Sequence, residues 1–313
     1  MKLLVTRQLT PAVEAKAAAE FDVTFRNGAV PMTEEEAHAA LQGYDALLVT
    51  LGDKVTAQAL QGDLRARIVS NFGVGYNHID AAAAKARGIV VTNTPGAVTD
   101  ATADVAMTLL LMSARRAGAG ERYVRSGAWT GWTPTQFLGQ HVTGKTVGII
   151  GLGRIGAAIA RRCHFGFGMQ VLYYNRSAKE AGFPARQVTL DALLAASDFV
   201  VVAVPAAPET HHLIGAAEFA RMQAHAHFIN IARGDIVDEP ALIATLEAGR
   251  IAGAGLDVFE KEPFVPEALR RLENVTLLPH LGTAALEVRD AMGFMALDNL
   301  IAFRDGQMPP NAI

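Results

Sequence analysis

The chain is poor in several features that would commit it to a particular setting. It carries a single cysteine, Cys163, in 313 residues. No intramolecular disulfide can form and no cysteine-based zinc site can be assembled, and no other metal-ligand spacing stands out. Cys163 therefore reads as a small buried hydrophobe on a helix. A basic excess is also missing: 28 Lys+Arg against 31 Asp+Glu leave a net charge of −3, which disfavours a nucleic-acid partner. The most apolar windows, Phe199 to Pro208 and Val105 to Ala114, run for about ten residues, half of the roughly 20 that a membrane-spanning helix needs. Arg7 interrupts the opening apolar stretch too early for a signal peptide. These absences predict a cytoplasmic globular protein with no membrane partner.

What is abundant is apolar and small: 50% hydrophobic residues and 29 glycines. At roughly 150 residues per domain the length fits two domains. In the first hundred residues, strand-like runs at Lys2–Thr6, Val23–Arg26, Asp45–Thr50, Ala66–Asn71 and Ile89–Asn93 alternate with helical stretches at Pro11–Phe21, Thr33–Gln42, Thr56–Gln61 and Asp80–Arg87. Thr33 followed by Glu36 is a capping-box signature. Apolar strands without polar alternation, separated by helices, predict a parallel sheet covered on both faces, here a unit of flavodoxin-like size. After Asn93-Thr94-Pro95-Gly96 and a long helix from Asp100 to Arg116, a second series begins. Its strands are Thr146–Ile150, Gln170–Tyr174, Asp198–Val204, His227–Ala232, Ile251–Val258 and Asn274–Pro279, the number expected of a Rossmann-type, doubly wound dinucleotide-binding sheet. A helix from about Ala285 to Arg304 is surplus to that sheet and is expected to return to the first domain. The expected division is 1–97 with 286–313, a discontinuous flavodoxin-like substrate domain, and 98–285, the dinucleotide-binding domain.

The string Gly151-Leu152-Gly153-Arg154-Ile155-Gly156 follows a strand and opens a helix, the context that gives a GxGxxG motif its meaning. Gly151 suits the tight turn, Gly153 lets a pyrophosphate approach the backbone, and Gly156 permits close helix–strand packing. The helix N-terminus offers free N–H groups and a positive dipole end. NAD-specific sites end the next strand with Asp or Glu; this one ends Tyr173-Tyr174-Asn175-Arg176-Ser177. A guanidinium there can pair with a 2′-phosphate that a carboxylate would repel, so NADP(H) is the expected cofactor and NAD(H) the alternative.

Three polar residues stand just beyond three successive strands: Arg233, Glu262 and His280. Ligands of open α/β sheets bind at the carboxyl ends of strands, so their side chains can converge on one crevice. A His can give a proton to a carbonyl oxygen as hydride reaches the carbon. A neighbouring Glu would orient the ring, and an Arg fork would hold a carboxylate and polarise the carbonyl. With a nicotinamide, that set describes reversible reduction of a 2-oxo acid.

These strings, with Gly73-Val74-Gly75-Tyr76, Asn93–Gly96, Thr99–Asp104, Asn230–Gly234, Gly255–Pro263 and Leu278–Gly282, resemble the D-isomer-specific 2-hydroxyacid dehydrogenases from end to end. Asn175-Arg176-Ser177 and Trp129–Pro134 are most similar to the glyoxylate/hydroxypyruvate reductases. The resemblance implies Arg233 as carboxylate anchor, His280 as acid/base and Glu262 as its partner. It also implies Val74 and Gly75 N–H groups on the substrate carboxylate, with Leu51 and Trp132 in the pocket, Trp132 reaching a neighbouring subunit of a homodimer. Along the cofactor it implies Thr102, Leu152, Arg154, Ile155, Val204, Pro205, Thr210, Ala232, Asp257 and Gly282. Other enzymes of the family, of 2-ketogluconate reductase or D-lactate type, and a nucleotide-sensing corepressor are the alternatives. The family's usual second hydroxyl residue is replaced here by Ala285.

Overall fold

The computed structural model describes all 313 residues, Met1–Ile313. Strands β1 (Lys2–Val5), β2 (Asp22–Phe25), β3 (Ala46–Val49), β4 (Ile68–Asn71) and β5 (Val90–Thr92) pair in parallel in the order β2-β1-β3-β4-β5. Helices α1 (Pro11–Glu20), α2 (Glu34–Gly43) and α3 (Ala81–Ala86) connect them. This is the flavodoxin-like order. Every residue of β3 and β4 is buried, which is why those runs carry no polar alternation. The expected capping box is present at α2: Thr33 Oγ1 accepts from the Glu36 N–H, and the Glu36 carboxylate accepts from the Thr33 N–H. One expected helix is absent. Thr56–Gln61 forms turns, beginning directly after the Val55–Ile79 bridge, which fixes the chain's path there.

The second sheet follows α4 (Thr99–Ala114) and α5 (Ala117–Arg125). The expected helix from Asp100 to Arg116 ends at Ala114; Arg116, with a left-handed φ of 52°, turns the chain into α5, a further helix beyond those expected from the sequence. Strands β6 (Thr146–Ile150), β7 (Gln170–Tyr174), β8 (Arg186–Gln187), β9 (Phe199–Val202), β10 (His227–Asn230), β11 (Gly253–Leu256) and β12 (Val275–Leu277) lie in the order β12-β11-β10-β9-β6-β7-β8, all parallel. The seventh strand, beyond the six expected, is β8: two exposed polar residues on the sheet edge that carry no apolar signal. Helices α6 (Arg154–Phe167), α7 (Leu190–Ala196), α8 (Ala216–Phe219), α9 (Glu239–Glu247) and α10 (Glu267–Arg271) cover the faces. The strand order reverses at the parallel β6–β9 pair, which makes this a Rossmann sheet with its switch point at β6. Cys163 is fully buried on α6, its thiol pushed up to about 12 by burial, and its Sγ lies 3.6 Å from Met107 Sδ.

The last helix, α11 (Leu286–Arg304), packs on the first sheet. Its Gly293 admits Val13 of α1 where a Cβ would overlap, and the Ser70 hydroxyl of β4 donates to the Ala296 carbonyl. Two compact units result, Met1–Val98 with Thr283–Ile313, and Thr99–Gly282. No helix is long and apolar enough to cross a membrane.

Candidate active site

The carboxyl end of β6 runs into Gly151, whose φ of 99° excludes most side chains and whose Cβ position would press on Ala203 and Val204. A Cβ on Gly156 would overlap the Gly151 carbonyl oxygen, so Gly156 is required for α6 to lie against the strand. Gly153 is different: nothing lies within 4 Å of its Cβ position. No protein contact demands a glycine there, and it opens a 14-residue helix whose N-terminus has no side-chain cap. Open space over uncapped N–H groups is what a bound phosphate needs, and the residues present fit a dinucleotide. Leu152 is buried in the core, leaving its backbone for that edge, while Arg154 is exposed.

After β7, Asn175 and Ser177 close a turn in which Asn175 Nδ2 donates to the Ser177 carbonyl at 2.7 Å. Arg176 projects from it with a side chain 94% exposed, its only charged neighbour Glu209 at 3.9 Å. After β9, the Thr210 hydroxyl donates to the Pro205 carbonyl and accepts from the Ala207 N–H, so it shapes the loop that follows Val204.

At the ends of β10, β11 and β12 the three expected residues meet. His280 Nδ1 lies 2.9 Å from Glu262 Oε2, while Glu262 Oε1 accepts from the Phe259 N–H at 3.0 Å. Burial works to raise the Glu262 carboxyl. The bond with His280, that ring's charge, the Phe259 N–H and the Arg233 guanidinium outweigh it, and the group stays below the usual carboxylate range. Arg233 follows a turn braced by Asn230, whose Nδ2 donates to the Arg233 carbonyl and whose Oδ1 accepts from the Ala232 N–H. Arg233 Nη1 donates to the Ala232 carbonyl, but Nε is buried with no partner. Burial lowers its pKa, opposed by Glu262 and Asp235. A desolvated guanidinium with an orphan donor is prepared for an anion.

His280 adopts a left-handed φ of 55°, a conformation that needs support from its surroundings. Asp257 supplies it: its carbonyl accepts from the His280 N–H, Oδ1 from the Leu281 N–H at 2.6 Å and Oδ2 from the Gly282 N–H at 2.8 Å. Gly282 also lies beside Thr102, since a Cβ there would sit 3.6 Å from the Thr102 hydroxyl. Burial raises the Asp257 carboxyl, opposed by the Leu281 N–H, His280 and the Gly282 N–H.

In the other unit, the chain leaving β4 forms a loop whose carbonyls are tied back. Asn71 Nδ2 donates to the carbonyls of Gly73 and Gly75, Asn93 Nδ2 to that of Val74, and the Thr94 N–H to that of Gly73. The N–H groups of Val74 and Gly75 have no protein acceptor, so the loop presents paired donors, an anion nest. Leu51 sits on the neighbouring turn after β3, which Asp53 fixes by accepting from Thr50, Thr6 and Met32. The asparagines that shape this nest were not among the expected site residues; their signal is a buried amide at the end of each of two strands. Trp132 is 78% exposed on the stretch between α5 and β6. His164 stacks on Phe183.

Residues 107–282 match the family described as D-isomer specific 2-hydroxyacid dehydrogenase, NAD binding domain. The chain belongs to that family. Glyoxylate reductase of Pyrococcus horikoshii is 44% identical to this dehydrogenase chain, covering 100% of it and 95% of the relative. Glyoxylate/hydroxypyruvate reductase B of Cronobacter sakazakii is 42% identical over 99% of the chain and 97% of the relative. Among solved structures, an NADPH-dependent glyoxylate/hydroxypyruvate reductase from Sinorhizobium meliloti, in complex with NADP and malonate, superposes with a TM-score of 0.89 at 37% identity. That match covers 100% of this chain and 96% of the other. The matched residues 107–282 include the glycine turn, Arg233, Glu262 and His280, while the likeness to the solved reductase runs over both sheets.

Proposed function

We propose that this chain reduces a small 2-oxo acid, glyoxylate or hydroxypyruvate, to the D-2-hydroxy acid with NADPH. The unit Thr99–Gly282 is read as the cofactor domain and the other as the substrate domain. The observation that carries the reading is the 2.9 Å contact of His280 Nδ1 with Glu262 beside a desolvated, partly unpartnered Arg233. NADPH, when bound, supplies the hydride. Because Glu262 is ionised, it accepts from Nδ1–H and leaves Nε2 of the imidazolium to hold and deliver the proton to the substrate oxygen. Arg233 polarises that carbonyl and binds the carboxylate; in the other unit, the Val74 and Gly75 N–H groups are read as donors for an anion. Thr102, Asp257 and Gly282 are read as lining the nicotinamide end.

Cofactor choice rests on Arg176, extended from the β7 turn where no carboxylate precedes it. Its ion pair with Glu209, at 3.9 Å on an exposed surface, is worth little and is open to exchange for a 2′-phosphate. Trp132, with exposed Val124, Trp129 and Leu138 nearby in sequence, is read as a contact with a second copy of the chain in a homodimer.

Steady-state kinetics with glyoxylate and hydroxypyruvate test the reading. NADPH oxidation is expected with both, with kcat/KM at least tenfold higher for NADPH than NADH, a preference that collapses in Arg176→Ala. Turnover is lost in His280→Ala while NADPH still binds. Cofactor binding without turnover of any 2-oxo acid would instead support a nucleotide-sensing role.

A further inference from the structure

Arg289 lies in the first turn of α11, at the positive end of the helix dipole, where a cation is disfavoured unless something else requires it. Neighbouring acids do not. Arg289 makes no ion pair, and burial alone acts on it, lowering its pKa. Its Nε donates to the Thr283 carbonyl at 3.0 Å, and its guanidinium lies over the Phe72 ring, 5.9 Å from the centroid. Those two contacts fix the plane of the fork. Both terminal nitrogens are left without a protein acceptor yet not sealed from solvent. Phe72 opens the loop whose Val74 and Gly75 N–H groups form the anion nest. The guanidinium, the ring and the nest therefore share one edge of one sheet, the carboxyl end of β4, and all belong to the same unit. Ligands bind at such edges.

We propose that Arg289 is a specificity-determining residue that donates to an acceptor oxygen on C3 of the 2-oxo acid, favouring 3-hydroxylated substrates over those ending at C2 or in a methyl group. The inference rests on the reductase reading above. With the substrate's carboxylate on the nest, glyoxylate has no atom beyond C2 to reach the fork, whereas hydroxypyruvate carries an oxygen there. A methyl group, as in pyruvate, offers the fork nothing to accept its N–H groups, so those donors would be desolvated without return.

The test compares kcat/KM for hydroxypyruvate, glyoxylate and pyruvate with saturating NADPH in the full-length protein, Arg289→Gln and Arg289→Lys. The expected result is a fall in the hydroxypyruvate-to-glyoxylate ratio of about tenfold or more in Arg289→Gln, the usual effect of deleting a charged hydrogen bond. It should be expressed mainly in KM, with glyoxylate turnover within about threefold and the hydroxypyruvate-to-pyruvate ratio falling in parallel. Arg289→Lys keeps the charge but loses the fork and is expected to recover part of the ratio. NADPH affinity and the thermal midpoint, measured on each variant, identify loss of fold. Equal losses on hydroxypyruvate and glyoxylate would make Arg289 a general carboxylate anchor and overturn the proposal, as would an unchanged ratio. Failure of the reductase reading is distinguishable: the unsubstituted protein would then turn over neither acid, and both proposals fall together.

Discussion

Glu262 and His280 are 18 residues apart in sequence and 2.9 Å apart in space. His280 is among the causes that keep the Glu262 carboxyl below its ordinary range, so Glu262 is ionised near neutrality. Reduction is therefore expected to have no acid limb from Glu262 near neutrality. Glu262→Gln keeps an acceptor for Nδ1–H but removes the charge. Its kcat/KM is expected to fall about a hundredfold, within the range typical of general acid–base catalysis. An unchanged kcat/KM in Glu262→Gln, measured by steady-state kinetics, would refute the pairing. These residues were legible in the sequence because each follows a strand that feeds the same sheet edge. The roles of Asn71, Asn93 and Arg289 were not, since aiming a backbone carbonyl, or lying over an aromatic ring, is decided by contacts that exist only in the folded chain.

Among the elements, the glycine turn and α6 separate two uses of glycine that look identical in the string Gly151–Gly156. At Gly156 the constraint is internal: a Cβ would overlap the Gly151 carbonyl. At Gly153 the Cβ position is empty, and the φ of −81° and ψ of −163° are open to alanine. Gly156→Ala is thus expected to destabilise the fold by about 1–3 kcal/mol, the usual range for overpacking. Gly153→Ala should change stability by less than about 0.5 kcal/mol while weakening NADPH binding at least tenfold, because its methyl group occupies the space over the uncapped helix end. Denaturant unfolding and a fluorescence titration with NADPH, run on both variants, check the contrast; equal affinities for Gly153→Ala and the unsubstituted protein would break it. Buried strands such as β3 and β4, and the capped start of α2, were readable from sequence because apolar continuity and cap chemistry are local. The turns at Thr56–Gln61, the left-handed break at Arg116 and the two-residue edge strand β8 were not. Each is decided by what the chain meets after folding rather than by its own composition.

At the scale of the whole molecule, the two units carry separate cores, and acid is expected to act unequally on them. His227 begins β10 in the unit Thr99–Gly282. It is buried, stacked on Phe199 with centroids 5.5 Å apart, and its Nδ1 lies 2.7 Å from the Ser113 hydroxyl. Burial, and secondarily the charge of His225, lowers its pKa to about 4, against roughly 6.5 in an unfolded chain. Between those values the unfolded state binds the proton and the folded state does not, so stability falls as pH drops from 6.5 towards 4. The difference of about 2.5 units corresponds to about 3 kcal/mol at the acid end. Asp257 and Glu239, whose carboxyls burial raises, act in the opposite sense over the carboxylate range, so the total acid response does not isolate His227. His227→Gln does: it keeps a polar partner for Ser113 but cannot titrate. Two units need not unfold together, so the readout is the transition assigned to Thr99–Gly282 by its shift on adding NADPH, which binds the folded form. Between pH 7 and 4.5 that transition is expected to lose about 2–3 kcal/mol more in the unsubstituted protein than in His227→Gln. Parallel pH dependences in the two proteins would show that the buried imidazole is not what makes this unit acid-sensitive.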